Sequence, residues 1–172
     1  MTGDNNEMPK TTDARRAMWD AIESFPALNP DGSSVFKRKF KHESGDGGTL
    51  QTIIQSGIGD LPSIEILPGR QDFKFQTQRM ADFPYTLDVR LIHTRLYRLE
   101  QYAQDLIKAV WQQCPENSSV PFIKSATGYY PQSVAVSVPT LAKIGQHNQA
   151  LKAWAITVTF QLQFQYDPFG ST

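Results

Sequence analysis

The chain is poor in the residues that advertise chemistry: of 172 residues, one is a cysteine and three are histidines. A lone Cys114 excludes an intrachain disulfide framework and a cysteine-rich zinc site, and it fixes no redox compartment. An excess of either charge is missing too. The 17 Lys+Arg meet 17 Asp+Glu, giving a formal net charge of +0 and a pI near 6.8. That balance excludes the strongly basic footprint of a dedicated nucleic-acid coat and the acidic excess of a solvating tail. No uninterrupted apolar run approaches the ~20 residues that cross a bilayer, and Met1 to Lys10 is polar rather than signal-like. No membrane partner is therefore expected, and the chain reads as made and used in a cytoplasm or released from one by lysis. What is present, 40% hydrophobic and 11% aromatic residues, is enough for one domain with a core and excludes wholesale disorder.

Residues 1–11 are expected to be a flexible arm, since the first ten carry no apolar period and include Pro9. Ala14, Met18, Ile22 and Phe25 then recur at near-helical spacing, predicting a short amphipathic helix that ends before Pro26. Asn29-Pro30-Asp31-Gly32 predicts a chain reversal. Val35 to His42 reads as an edge or hairpin strand with Phe36, Arg38 and Phe40 on one side, and Ser44 to Gly48 as a flexible break. Leu50 to Gln55 is too short for periodicity to assign. Ile64 and Ile66, between Pro62 and Pro68, predict a short strand that the prolines confine to a sheet edge or to its own ends.

The pattern sharpens after Phe83. Tyr85, Leu87, Val89 and Leu91 lie on one face between Phe83 and Thr94, with Asp88, Arg90 and Ile92 on the other, predicting a long strand with one mostly buried face. Leu96, Leu99, Ala103, Leu106, Ile107 and Val110 follow at intervals of three and four and predict the main helix, stopped by Pro115. Phe122 to Tyr130 and Gln132 to Val138 read as a strand pair around Tyr130-Pro131, with Leu141 to Gln149 a polar loop. The strongest signal is last. Trp154, Ile156, Val158, Phe160, Leu162, Phe164 and Tyr166 alternate without a break with Ala155, Thr157, Thr159, Gln161, Gln163 and Gln165. Such a run is a strand whose apolar face lies on a helix layer or a second sheet. Its polar face carries no charge, which points either to contact with another surface or subunit or to an ordinary solvated face. The order of elements is that of an α+β domain spanning residues 12–167, with 168–172 a C-terminal tail.

Catalysis requires a nucleophile with its base, a paired acid and base, or a metal cluster. His42, His93 and His147 fall in a basic strand, at a strand end and in a loop, with no ligand-type partner at metal spacing. Cys114 sits at the electronegative end of a helix, where a thiolate is not favoured. Gly45, Gly47 and Gly48 fit no phosphate-binding glycine pattern. The chain is therefore expected to have no catalytic residues, no metal ligands and no cofactor, and not to be an enzyme. One cluster resembles a nucleic-acid groove: Lys37, Arg38, Lys39 and Lys41 interleaved with Phe36 and Phe40. The plainer reading is a solvated strand face balanced by acids elsewhere.

With this element order, three stretches carry a resemblance to a known family: Asp13-Ala-Arg-Arg-Ala-Met-Trp-Asp-Ala-Ile, Phe83-Pro-Tyr-Thr-Leu-Asp-Val-Arg-Leu, and Trp154 to Tyr166. From Thr12 to Tyr166 the chain resembles the tail terminator (tail completion) proteins of long-tailed bacteriophages, departing from them in an extended middle, Gly45 to Arg79. The resemblance implies a mostly antiparallel sheet with a long C-terminal strand, packed against two helices. It further implies a virion protein of the neck, assembled in the host cytoplasm as a ring, usually a homohexamer. Such a ring docks on the tail tube protein, stops tube polymerisation and offers a surface to the head-completion or connector protein, with a sheath protein as a further partner. DNA would pass through it without sequence-specific binding, which favours a lumen lined by acidic or neutral residues. The ring contact is expected on Gln161, Gln163 and Gln165 or on Lys37, Arg38, Lys39 and Lys41. Another neck or head-completion ring protein and a nucleic-acid-binding module are the alternatives.

Overall fold

A computed structural model of the chain describes residues 11–41, 61–67, 69–72, 74–75, 81–111, 130–144 and 151–166. Helix α1 (Thr11–Ser24) leads into two short 3-10 turns at Pro26–Leu28 and Pro30–Gly32. Strands β1 (Arg38–Phe40), β2 (Ser63–Ile66), β3 (Arg70–Gln71), β4 (Lys74–Phe75) and β5 (Ala81–His93) follow. Helix α2 (Leu96–Trp111), β6 (Tyr130–Val136), β7 (Thr140–Ile144) and β8 (Leu151–Tyr166) complete the order.

All eight strands belong to one sheet. Its spine is β5 against β8, antiparallel in unbroken register from Ala81↔Tyr166 to His93↔Trp154. On the outer side of β5 lie β2, β3 and β4 in series, each antiparallel to it. On the outer side of β8 lie β6 and β7, likewise in series and antiparallel. Strand β1 adds to β2 in parallel, so the sheet is mixed but mostly antiparallel. The fold is α+β with a long C-terminal strand, as expected.

Alternation decides the layers. Tyr85, Leu87, Val89 and Leu91 of β5 and Ile156, Val158, Phe160 and Leu162 of β8 point to the same side, where they are buried with Ile64 and Ile66 of β2. Onto that side α1 packs Ala14, Met18 and Ile22, and α2 packs Leu99, Ala103, Leu106 and Val110, spacings that put one stripe of each helix on the sheet. Of the two layers left open for the face of β8, the chain uses helices. The Asn29 side-chain amide donates to the carbonyls of Ile22 at 2.7 Å and Phe25 at 2.9 Å, satisfying groups that the end of α1 leaves unpaired. The reversal expected at Asn29 to Gly32 is made with Asp31 at φ 54 and Gly32 at φ 75.

Several sequence expectations are corrected here. Among the described residues of the strand expected over Val35 to His42, the strand is Arg38–Phe40, and Phe36 and Phe40 are not on one side. Phe36 joins the helix-side core against Tyr102, whereas Phe40 joins a smaller cluster with Leu61, Ile92 and Ala153. Phe36 precedes the ladder, so period-two counting does not carry through to it. Of the two placements left open for the strand at Ile64 and Ile66, the second holds: Pro62 stands just before β2, which β1 and β5 flank. Tyr130 and Pro131 lie within β6, opposite Gln163 and Leu162, instead of forming a turn. Leu141 to Ile144 is strand β7, not loop. Thr11, the last residue of the arm expected over 1–11, instead opens α1. Residues 1–10 of that arm, the break at 44–48, the segment 50–55, the strand at 122–129, His42, Cys114, His147 and the tail at 168–172 lie outside the described residues.

Candidate interaction surface

With α1 and α2 on one side, no helix among the described residues packs on the other side of the sheet, and β8 runs through its middle. Down β8 the row on that side is Ala155, Thr157, Thr159, Gln161 and Gln163, alternate positions to the buried row; Gln161 is exposed and the others are half-buried. Gln161 is exposed and accepts a hydrogen bond from Ser133 Oγ of β6 at 2.9 Å. Gln161 and Gln163 also line a recess of about 270 Å³ with Thr86, Pro84, Gln132 and Asp72. Gln165 stands opposite Asp82 in the ladder. Two of the three predicted glutamines are thus brought together on one polar recess.

The neighbouring strands make this face less neutral than β8 alone suggests, but their charges are engaged. Asp88 Oδ1 accepts from Thr159 Oγ1 at 2.6 Å, and Arg90 Nη1 meets the buried Glu65 Oε2 at 3.5 Å. Beyond them the face turns apolar at Phe40, Leu61, Ile92 and Ala153.

The other predicted patch lies at the opposite end of the strand order, on the β1 edge, and the fold divides it. Lys41 Nζ is 2.7 Å and Lys39 Nζ 3.4 Å from Glu23 Oε1 of α1, and Lys41 also lies over the Trp19 ring at 5.2 Å from its centroid. Burial pushes the Glu23 carboxyl up, but the hydrogen bond and charge of Lys41 and the charge of Lys39 outweigh it, and the net direction is down. Arg38 turns instead to the Phe40 ring, 5.6 Å from its centroid. Lys37 and Arg38 are exposed. The four cations therefore do not form one groove.

Sequence reasoning missed a second positive region. His93, at the end of β5, stacks on Tyr102 of α2 with centroids 5.9 Å apart, and its Nδ1 accepts from the Thr94 amide at 2.9 Å. Burial, followed by the charges of Arg95, Arg98 and Lys37, holds this imidazole below its ordinary value. Also missed was the outer edge of the sheet, where Val136 is 50%, Val138 80% and Leu141 56% exposed. Its signal was in the sequence, since no charged residue stands between Tyr130 and Ala142. Among the described residues no three His, Cys, Asp or Glu side chains gather as a metal cluster, and no helix is long and apolar enough to cross a membrane.

No family model matches this chain, and no curated protein matches it. Among solved structures, a chain of the "Virion of native gene transfer agent (GTA) particle" aligns over 88% of this chain and 93% of its own length, at 10% identity with a TM-score of 0.48.

Proposed function

We propose that the chain is a structural subunit of the head-proximal end of a phage tail, a tail terminator that assembles as a ring. In this role it caps the tail tube protein, stops its polymerisation and presents a surface to the head-completion or connector protein. The chain is then not an enzyme and needs no cofactor. The observation that carries the reading is the sheet itself. Among the described residues helices cover one side only, and the central row of the other side, Thr157 to Gln163, is uncharged, polar and half-buried to exposed. The resemblance in Asp13 to Ile22, Phe83 to Leu91 and Trp154 to Tyr166 falls on α1, β5 and β8, the elements that build this arrangement.

Termination demands one face that matches the tube and another that does not, and a ring demands two different patches on each subunit that fit each other. A small neutral domain supplies both with shape alone. The nucleic-acid-binding alternative has less support, because Lys39 and Lys41 already share Glu23. The test adds the purified chain to polymerising tail tube protein and measures tube lengths by negative-stain microscopy. Shorter tubes, each ending in a ring of added density, are expected. Tubes of unchanged length with no density at either end would contradict the proposal.

A further inference from the structure

Charge is unevenly placed in this neutral chain. Strands β1, β2, β5, β7 and β8 share one end of the sheet, where β5 passes into α2. There His93 ends β5 opposite Trp154 of β8, and Leu141 of β7 stands on the other side of Trp154. On the opposite flank of β5, Ser63 pairs with Ile92 and Arg38 with Ser63, and the Lys37 amide donates to the Pro62 carbonyl at 2.8 Å. Lys37 therefore enters at the level of His93, two strand spacings or about 10 Å away. Arg95 follows His93 by two residues, and Arg98 lies in the first turn of α2. Two residues before Trp154, Lys152 is the ladder partner of Lys143.

Cations thus gather at one end, and the described stretches that build it, Val35 to Lys41, Leu61 to Ser63, Leu91 to Leu99, Leu141 to Ile144 and Leu151 to Ile156, contain no Asp or Glu. Glu100 comes two positions after Arg98, a spacing that does not bring helix side chains together. Lys37, Arg95, Arg98 and Lys152 are exposed and form no ion pair with a described residue. Local stability does not account for this arrangement. The first turn of a helix favours acids and disfavours cations, yet that of α2 has no acid and carries Arg98. Two lysines at one ladder position likewise oppose a pairing that opposite charges would support. Burial first, then the charges of Arg95, Arg98 and Lys37, hold His93 below its ordinary value, in keeping with a positive field left uncancelled.

We propose that this end of the sheet is a docking surface for an acidic segment of another protein, whose carboxylates meet Lys37, Arg95, Arg98 and Lys152. The occupant follows from what accompanies the cations and from what the chain itself lacks. Tyr97 is 73% and Leu141 56% exposed at the same end, contact area that a protein partner uses and a phosphate backbone does not. A net charge of +0 also gives a long polyanion no attraction at a distance. A second copy matches less well. Among the described residues the exposed acids are Asp20 on α1, Asp31 in the turn and Glu100 on α2, each from a different element, with Glu23 already shared by Lys39 and Lys41. The surface is separate from the glutamine row of β8 and does not depend on a ring being formed.

The test is fluorescence anisotropy of a labelled oligoglutamate peptide titrated with the full chain at low and at physiological ionic strength, with duplex DNA as a second probe. Wild type is compared with Arg98→Glu, Lys152→Glu and, as a control of equal charge change, Lys108→Glu, with circular dichroism as the check on folding. All three residues are exposed, so the core is untouched. The expected result is peptide binding that salt weakens, that Arg98→Glu and Lys152→Glu each lower about five-fold, and that Lys108→Glu leaves unchanged. No peptide binding at low salt would overturn the proposal. So would binding that the first two variants leave unchanged, or that Lys108→Glu lowers equally, which would reduce it to net charge. Duplex DNA bound more tightly than the peptide, and lost in the same variants, would overturn it in favour of a nucleic-acid surface. None of these results bears on tube length, so the tail-terminator reading stands or falls by its own test.

Discussion

Glu23 shows how one carboxylate can change the meaning of a basic run. Its two lysines come from β1 and it stands on α1, so the contact fastens the edge of the sheet to the helix layer as well as cancelling charge. With the carboxyl held below its usual value of 4.5, this contribution is present above the unfolded value and is lost as pH falls through the native one. Glu23→Gln is expected to cost about 0.2–1 kcal/mol at neutral pH, because exposed pairs are weak. The difference from wild type in urea melts should vanish in acid. His93 runs on the same logic: its native value lies below 6.5, so the folded state prefers the neutral ring, and stability is lost as pH falls from 6.5 through the native value. Imidazole NMR should place its titration below 6.5, and Arg98→Gln should move it upward. A titration unchanged by that substitution would mean that the guanidinium does not act on the ring.

At the scale of elements, the sheet–helix core was open to sequence reading where burial alternates over a long stretch. Strands β5 and β8 put every second residue from Tyr85 to Leu91 and from Ile156 to Leu162 under the helices, and α2 repeats at three and four, so period alone identified them. Phe160 is fully buried at the middle of β8, and Phe160→Ala is expected to cost about 3–5 kcal/mol in chemical denaturation. A loss under 1 kcal/mol would mean that β8 does not anchor the core. Strands set by pairing, not by pattern, were harder to read. Strand β7 holds only five residues and exists through its ladder with Leu151 to Ala155, too short a run for period to announce. The candidate site was legible in part for the same reason. The polar row of β8 was visible by alternation, but its recess needs Asp72 and Gln132 from distant elements, and the division of Lys37 to Lys41 depends on Glu23, fourteen or more residues earlier.

For the whole molecule, the neutral balance is the relevant quantity. A ring through which DNA must pass should not hold phosphate, and a chain at net charge +0 with Lys39 and Lys41 already paired suits that task. Duplex DNA is accordingly expected to show no retained complex in mobility-shift assays at physiological salt. Salt-dependent binding abolished by Lys37→Ala, Arg38→Ala and Lys39→Ala together would favour the nucleic-acid module instead. The uncharged polar row of β8 and the exposed Val136, Val138 and Leu141 are the surfaces that the proposed role would use. The most direct measurement is tail length, by negative-stain microscopy, in lysates of a phage from which this coding sequence has been removed. Overlong tubes without heads are predicted. Tails of normal length detached from heads would place the chain at another joint of the neck, and intact particles would contradict a structural role in the virion altogether.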